Sequence, residues 1–364
     1  MFQAIEELLM KDEILVDGSM EEGGGQILRA ALALSMSLGR PFRMKNIRAG
    51  RPSPGLKRQH LACVRAAGEL CGAEVAGDEM ASRELRFAPG PLRAGEYHFA
   101  VGGGGSATLL LQAVLPPLLT ADTPSRITVT GGTHVPCAPP FEFMAGTLLP
   151  WLERMGPRLA ATMSRPGYMQ IGGGSVTVNV TPAKALVFGT DFAEAAKNEP
   201  GPTLETEALV YAHHLPDEIA KRECAALLSP EFAALGLSDS SICVINGRNG
   251  GPRPEGAGNA VLVKLRHRHG VTVFGETGLR GRSAETVAGH AACRALRFRN
   301  SNAPVEKHLA DQLVVPLALA GGGSFVTETL TPHCRACLDV ASLFTSLKPE
   351  LHPVNGRKTL VTLR

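Results

Sequence analysis

Residues 13–39 read EILVDGSMEEGGGQILRAALALSMSLG and combine a strand, a glycine-rich turn and a helix. Apolar and polar residues alternate over Glu13–Asp17, which predicts a short strand, and Gly18–Gly25 follows as the turn. Gln26–Leu38 has the apolar spacing of a helix, and Gly39 supplies its end. A strand that leads through a turn into a helix indicates an α/β fold.

The same order of elements returns once further along the chain, and a third, loosely similar unit follows. The second copy has a strand, a turn, a helix and a further strand, at Glu96–Val101, Gly102–Gly105, Ala107–Leu119 and Arg126–Thr130. The third copy has a helix, a glycine turn and a strand, at Leu309–Ala320, Gly321–Gly323 and Ser324–Glu328. These three units predict an internally repeated α/β domain.

Between the second and third copies, the sequence changes character after the alternating strand Ser175–Val180. An acidic stretch is followed by a predicted helix, Asp217–Leu228. Two predicted strands joined by a loop come next, at Ser241–Asn246, Gly247–Gly258 and Ala260–Leu265, and a second predicted helix, Ser283–Arg299, ends the segment. We therefore predict an inserted small α/β domain at residues 184–300. Residues 1–183 and 301–364 would then form one discontinuous domain.

The composition excludes several classes of protein. A chain of 364 residues with 44% hydrophobic residues can bury a full core without disulfides. The net charge of +3 is too small for coating nucleic acid, so an anionic partner needs a local cluster of cations. Aromatics at 5% argue against a sheet that stacks RNA bases. Eight cysteines, no leader-like start and no apolar run of about 20 residues lead us to expect a cytoplasmic protein without a membrane span.

A cationic segment without carboxylates runs from Arg40 to His60. Within it, Arg48 and Arg51 lie in a turn with two prolines and two glycines, which predicts that both guanidinium groups are directed at one anion. Gln59 and His60 follow at the start of a helix, where they can donate to the same phosphate. The alternative is a solvated basic face.

The glycine turn of the first unit is a second candidate phosphate site. Three glycines precede a helix whose first amides can approach phosphate oxygens, with Gln26 and Arg29 one turn apart. A carboxylate beside a phosphate cradle suits a metal, so Glu22 is a candidate ligand for Mg²⁺ or Mn²⁺. The alternative is a glycine turn with a solvated glutamate.

His333, Cys334 and Cys337 invite a zinc or redox interpretation. No second cysteine or histidine pair stands at zinc-finger spacing, which disfavours zinc. His333 follows Thr331-Pro332, so we predict that it lies in an exposed turn, where an imidazole can act as a nucleophile. The alternative is a structural histidine. The two thiols beside it suggest a redox switch.

Val101–Ala107 loosely matches the dinucleotide-binding fingerprint. The carboxylate expected about 20 residues later has no convincing candidate, because Asp122 lies in a predicted turn. No Walker sequence is present, so ATP would be bound in another way. A dinucleotide-dependent oxidoreductase remains an alternative.

Together these segments resemble the RNA 3'-terminal phosphate cyclase family. The matching segments are in family order, at residues 22–29, 47–51, 54–56, 58–60, 102–116, 131–133, 138–140 and 309–312. The resemblance implies a large domain of βαβαββ-like units, similar to the enolpyruvyl transferases, with a small α/β insertion. It leaves the oligomeric state open.

The resemblance also implies a reaction. His333 matches the family's nucleophile, which attacks the α-phosphorus of ATP and forms histidyl-AMP. The AMP passes to an RNA 3'-phosphate end, and the neighbouring 2'-hydroxyl then closes a 2',3'-cyclic phosphate. By resemblance, Glu22 holds Mg²⁺ or Mn²⁺. The nucleotide contacts implied are Gln112, His308, Leu309, Ala310, Asp311 and Gln312. The phosphate or RNA contacts implied are Gln26, Arg29, Arg48, Arg51, Gln59 and His60.

Two positions depart from the family pattern. Gln170 stands where a proline usually precedes three glycines, and His308 stands where a tyrosine is common. The alternative within this fold is a non-catalytic, cyclase-like RNA-binding protein of ribosome assembly, which lacks the nucleophilic histidine and part of the arginine set. His333, Arg29, Arg48 and Arg51 are all present here and favour the enzyme.

Overall fold

The first unit of the molecule follows the predicted order of elements. The computed structural model describes residues 13–248 and 253–364. Its first elements are β1 (Ile14–Asp17), α1 (Gly25–Leu38), β2 (Phe42–Lys45), α2 (Arg58–Cys71), β3 (Glu74–Ala76) and β4 (Leu85–Ala88). Strands β1 and β2 are parallel because α1 crosses between them, and the sheet order is β1-β2-β4-β3.

The second unit repeats this topology. Its elements are β5 (Glu96–Ala100), α3 (Ala107–Leu118), β6 (Ser125–Gly131), α4 (Phe141–Phe143, continued by a π segment Met144–Leu148 and by Leu149–Glu153), β7 (Arg158–Arg165) and β8 (Gly174–Thr181). Strand β5 is parallel to β6, and the sheet order β5-β6-β8-β7 matches that of the first unit.

A separate four-stranded sheet follows the second unit and helix α5 (Thr190–Lys197). Its elements are β9 (Glu205–His213), α6 (Asp217–Leu227), β10 (Ile242–Ile245), β11 (Gly258–His267), β12 (Gly270–Thr277) and α7 (Ala284–Ser301). Two short 3₁₀ segments, Pro230–Leu235 and Asp239–Ser241, precede β10. The sheet order is β10-β9-β11-β12, with only the β9–β10 pair parallel.

The third repeated unit closes the chain. Its elements are α8 (Lys307–Leu319), β13 (Gly323–Thr327), α9 (Pro332–Phe344), β14 (Pro349–Asn355) and β15 (Lys358–Leu363). A parallel bridge from Val305 to Thr327 takes the place of a first strand, and the sheet order β13-β15-β14 completes the pattern. The predicted fold class, repeated α/β units with a smaller α/β unit, is confirmed.

Helix α1 lies in the middle of the larger core. Its residues are buried without a break from Gln26 to Met36, and α1 packs against α3 and α9. A helix surrounded by other helices needs apolar residues on every side, which explains the run AALAL in its sequence. Within the described ranges, no helix is long and apolar enough to cross a membrane.

Strand β11 joins the larger core to a second, smaller one. Ala260 and Leu262 belong to the larger core, whereas Val261 and Val263 belong to the smaller core. Alternate residues of a strand point to opposite faces, so this strand is buried on both sides and its sequence is almost continuously apolar. The smaller unit therefore docks on the repeated units through one face of its sheet.

The start of the smaller core differs from the start of the predicted insertion. The prediction begins at residue 184, but Leu186 and Phe192 lie in the larger core, and the smaller core begins with β9. At the other end, α7 finishes at Ser301, one residue beyond the predicted boundary. Residues 1–12 of the predicted larger domain and 249–252 of the predicted loop lie outside the described residues.

Candidate active site

His333 is presented by the first turn of helix α9. The Thr331 hydroxyl caps this helix by accepting a hydrogen bond from the Cys334 amide at 3.0 Å, and Pro332 is the first helical residue. Proline suits that position because its backbone has no N–H to be satisfied. The prediction of an exposed turn is therefore wrong, since a helix N-terminus holds the half-buried imidazole.

Glu22 connects His333 to the cationic segment. Its Oε1 lies 2.8 Å from His333 Nε2 and 2.7 Å from Arg51 Nη2. A Cβ atom on Gly24 would come within 3.0 Å of Arg51 Nη2 and 3.1 Å of Glu22 Oε1. Glycine at this position therefore leaves room for the three side chains to meet.

Arg29 is a buried cation beside this cluster, with only 7% of its surface exposed. Its Nε donates to Gln112 Oε1 at 3.2 Å, and its Nη2 donates to Gln26 Oε1. Within the described residues, Arg29 forms no ion pair with a carboxylate. A buried guanidinium held only by neutral amides is poised for an anionic ligand, because an unpaired buried charge is costly.

Arg48 and Arg51 have separate partners. Arg48 Nη1 donates to the carbonyl oxygens of Ser53 at 2.7 Å and Gly55 at 3.0 Å, whereas Arg51 pairs with Glu22. The two guanidinium groups share no partner within the described residues, and their joint binding of one anion stays a prediction. Arg48 instead braces the turn that carries Arg51.

Gln59 and His60 fasten helix α2 to its neighbours. Gln59 Oε1 accepts a hydrogen bond from the Ser106 amide at 3.0 Å. His60 Nε2 would lie 2.4 Å from a Cβ atom on Gly25, so the third glycine of the turn makes room for this ring. Burial, with nearby cations that include Arg29, lowers the pKa of His60 to about 3, and the imidazole is neutral at physiological pH.

A cavity of about 1080 Å³ opens from His333. Its walls come from both cores, and it collects side chains that are far apart in the sequence. The predicted site residues that line it are Gln26, Arg29, Gln112, His308, Asp311, Gln312 and His333. The cavity is large enough for a nucleotide.

Helix α8 presents only part of the predicted nucleotide-binding segment to the cavity. Leu309 and Ala310 are 1% and 0% exposed and pack in the larger core, so their side chains are corrected from ligand contacts to packing residues. Gln312 Nε2 donates to the His308 carbonyl at 3.0 Å, and its buried Oε1 has no hydrogen-bond partner within the described residues. That oxygen is an available acceptor.

Three carboxyl groups on the cavity wall titrate at unusual pH. Burial raises the pKa of Glu306 and of Glu328 to about 7 in each case. Burial, together with Glu306, also raises the pKa of Asp311. Glu306 caps helix α8 by accepting hydrogen bonds from the backbone amides of His308 and Leu309. The negative charge of this wall is therefore reduced near neutral pH.

A proline-rich loop, residues 135–140, forms another wall of the cavity. A buried hydrogen bond closes the loop, between His134 Nε2 and Glu142 Oε2 at 2.8 Å. The Tyr211 hydroxyl of the smaller unit donates to the other oxygen of Glu142. We call His134, Glu142 and Tyr211 the clasp. It ties the loop to both units.

Comparison with known proteins identifies the family. The model of the RNA 3'-terminal phosphate cyclase family matches residues 20–351. The chain belongs to this family. Proteins named RNA 3'-terminal phosphate cyclase from Koribacter versatilis and Salmonella enteritidis are each 43% identical to it, over 93% and 91% of this chain and 91% and 93% of theirs. One from Ectopseudomonas mendocina is 40% identical, over 97% of this chain and 99% of its own length.

The cyclase family resemblance implies a divalent cation at Glu22. Both observed contacts of this carboxylate fall on Oε1, which leaves Oε2 without an ion pair among the described residues. Mg²⁺ is commonly held by one or two carboxylates together with substrate phosphates. Within the described residues, no cluster of three or more His, Cys, Asp or Glu side chains could hold a metal alone. Glu22 thus fits a cation that shares its ligands with phosphates.

Gly104 and Gly105, in the loop at Gly102–Gly105, serve packing in this cyclase-family fold. A Cβ atom on Gly104 would lie 1.6 Å from the Met169 carbonyl oxygen, and one on Gly172 would lie 1.8 Å from that of Gly103. Two backbone loops therefore occupy each other's side-chain space. This close contact argues against the dinucleotide-binding interpretation, in which the glycines would approach a pyrophosphate.

Cys334 and Cys337 face the core of the cyclase-family fold. Both thiols are fully buried, and Gln26 Nε2 lies 3.1 Å from Cys337 Sγ. Burial raises the pKa of Cys337 to about 12. Buried thiols of this kind are inert, which argues against the redox switch suggested by their spacing.

Proposed function

We propose that this protein converts an RNA 3'-terminal phosphate into a 2',3'-cyclic phosphate with ATP, through a histidyl-AMP intermediate at His333. The observation that carries the proposal is the position of His333, between the Glu22–Arg51 pair and a nucleotide-sized cavity. The family membership supports the overall activity.

The first step forms the bond between the imidazole and AMP. The neutral imidazole of His333 attacks the α-phosphorus of ATP, the bond to the β-phosphate oxygen breaks, and pyrophosphate leaves. Burial lowers the pKa of His333, although Glu22 opposes this effect, and so favours the neutral, nucleophilic form. Arg29 and Arg51 are placed to neutralise the phosphate charge.

The second and third steps act on RNA. An oxygen of the RNA 3'-phosphate attacks the histidyl-AMP phosphorus, which releases His333 and joins AMP to the RNA end. The adjacent ribose 2'-hydroxyl then attacks the RNA 3'-phosphorus and gives up its proton to solvent, and AMP leaves with the electrons of the broken P–O bond. Glu22 would hold Mg²⁺ or Mn²⁺, which neutralises phosphate charge when bound. Asp311, Gln112, His308 and Gln312 would contact the nucleotide, with the free oxygen of Gln312 accepting from it.

The test uses ATP labelled on its α-phosphate with Mg²⁺, followed by denaturing separation. We expect acid-labile label on the wild-type protein and none on His333→Ala. The matched control is His352→Ala, because His352 also faces a glutamate, Glu350, at 3.4 Å but lies on exposed strand β14. This control should be labelled like wild type.

Three outcomes would change the proposal. Label on His333→Ala would show that another residue is the nucleophile. The absence of label on wild type would favour the non-catalytic, RNA-binding relative. Labelling without conversion of RNA 3'-phosphate to the cyclic product would leave nucleotidyl transfer but reject the proposed RNA reaction.

A further inference from the structure

One helix of the smaller unit, α7, lines the same cavity as His333. His290, Arg294, Arg297 and Ser301 of α7 all contribute to this wall. Their separations of four, three and four residues place them along one face of the helix. A stripe with two arginines and a histidine therefore faces the cavity.

The charges around the cavity are unbalanced. Six arginine and lysine side chains but only four carboxylates line it. Glu276 already pairs with Arg294 at 2.8 Å and with Arg282. The described part of the chain provides no ion-pair partner for Arg297, Lys307 or Arg357. These three residues, which we call the cationic rim, lie on α7, on α8 and between β14 and β15.

We propose that the cationic rim binds backbone phosphates of the RNA strand upstream of its 3'-phosphate end. This proposal rests on the proposed function, because the 3' end must reach His333 from within the same cavity. The three cations lie on three different elements and line one cavity. Such an arrangement can contact successive phosphates of a single RNA strand. The whole chain carries a net charge of only +3, so a local cluster must supply this attraction.

The ATP phosphates are the other possible anion, and the geometry favours RNA. The α-phosphorus must lie at His333, where Arg29 and Arg51 already provide positive charge on the repeated-unit side. The cavity volume, about 1080 Å³, also slightly exceeds the range of pockets for one small ligand, roughly 300 to 1000 Å³. A cavity of this size, lined in part by α7, can hold an RNA end in addition to the nucleotide.

The experiment compares RNA substrates of two lengths. Arg297→Ala, Arg357→Ala and the double variant are assayed with a 3'-phosphorylated dinucleotide and with a 12-nucleotide RNA. The matched control is Arg126→Ala, an exposed arginine on the outer sheet that does not line the cavity. Binding of the 12-nucleotide RNA without ATP is measured in parallel at several salt concentrations. Thermal unfolding checks that every variant is folded.

We expect the KM for the 12-nucleotide RNA to rise about tenfold in the double variant, with labelling by ATP and the KM for the dinucleotide unchanged. Each lost phosphate contact should also reduce the slope of log affinity against log salt by about 0.7. An equal effect on both RNAs, or weaker labelling by ATP, would assign the rim to the nucleotide instead. Unchanged affinity for the long RNA would reject the proposal.

A failure of the proposed function gives a different pattern. Wild-type protein would then leave RNA ends uncyclised at either length. The salt-dependent binding of RNA by the rim variants would still show whether these residues contact RNA.

Discussion

One buried carboxyl group, that of Glu223, makes the stability of this fold depend on pH. Glu223 on α6 is fully buried, and its Oε2 accepts a hydrogen bond from Asn259 Nδ2 at 3.0 Å. Its Oε1 has no partner within the described residues. Burial raises the pKa of Glu223 to about 7, so the folded protein holds a proton that the unfolded chain has already lost.

This bound proton determines whether the stability of the fold rises or falls with pH. Between the ordinary glutamate pKa of about 4.5 and the raised value, the unfolded state binds fewer protons, so stability falls as pH rises. Glu223→Gln removes this loss of stability, because a glutamine side chain does not titrate. We expect the free energy of unfolding of the variant, relative to wild type, to increase by about 3 kcal/mol from pH 4 to pH 8.

Urea unfolding at the two pH values measures the difference. Glu218→Gln is the control because Glu218 lies on the same helix with an exposed side chain. A variant whose stability relative to wild type is the same at pH 4 and pH 8 would contradict the assigned cause.

At the scale of elements, the clasp sets the position of the proline-rich wall. Burial alone would raise the pKa of Glu142, yet His134 and the Tyr211 hydroxyl hold it below its ordinary value. The carboxylate is thus stabilised by partners on both sides. Because three of the six residues at 135–140 are prolines, the loop is stiff and moves with its anchors.

Loosening the clasp should weaken ATP binding more than turnover. We expect Tyr211→Phe to cost about 1 kcal/mol of stability and Glu142→Gln about 3 kcal/mol, since the latter removes the buried carboxylate that bonds to both His134 and Tyr211. Both variants should raise the KM for ATP several-fold while kcat changes less.

Tyr97→Phe is the control because the Tyr97 hydroxyl donates to the Arg93 carbonyl at the surface. An unchanged KM for ATP in both clasp variants would show that the loop position does not depend on the clasp.

At the scale of the whole molecule, the cavity is lined by both the repeated units and the smaller unit. Gln112 and Asp311 come from repeated units, whereas Leu262, Phe274 and the α7 stripe come from the smaller unit. A ligand that touches both walls stabilises their arrangement, in addition to stabilising the folded state by mass action.

An ATP analogue with an uncleavable α–β bridge tests this coupling. At a hundred times its Kd, we expect the free energy of unfolding to rise by about 2.7 kcal/mol. Hydrogen exchange should slow in both α8 and β12, which belong to different units. Inorganic phosphate at equal concentration is the control, because it cannot span the cavity. Protection confined to one wall would contradict binding between the units.

The sequence predicts the repeated units well because their signals are local. The alternation at Glu13–Asp17, the turn before α1 and the end at Gly39 depend on residues a few positions apart. The residue types of Glu22, Arg29 and His333 are also read from short motifs, and the roles of these residues stay a prediction. Local spacing also gave two wrong predictions. Thr331-Pro332 begins a helix instead of forming a turn, and the side chains of Leu309 and Ala310 pack in the core.

Only the tertiary structure decides which of these residues meet. Glu22 and His333 are brought within 2.8 Å from opposite ends of the chain by the packing of α1 against α9. The clasp, the rise in the pKa of Glu306 and Glu328, and the cationic rim also arise from contacts between distant segments. Periodicity carries no such signal, because backbone preferences act over a few residues, whereas burial and charge pairing depend on the complete packing of the helices and sheets.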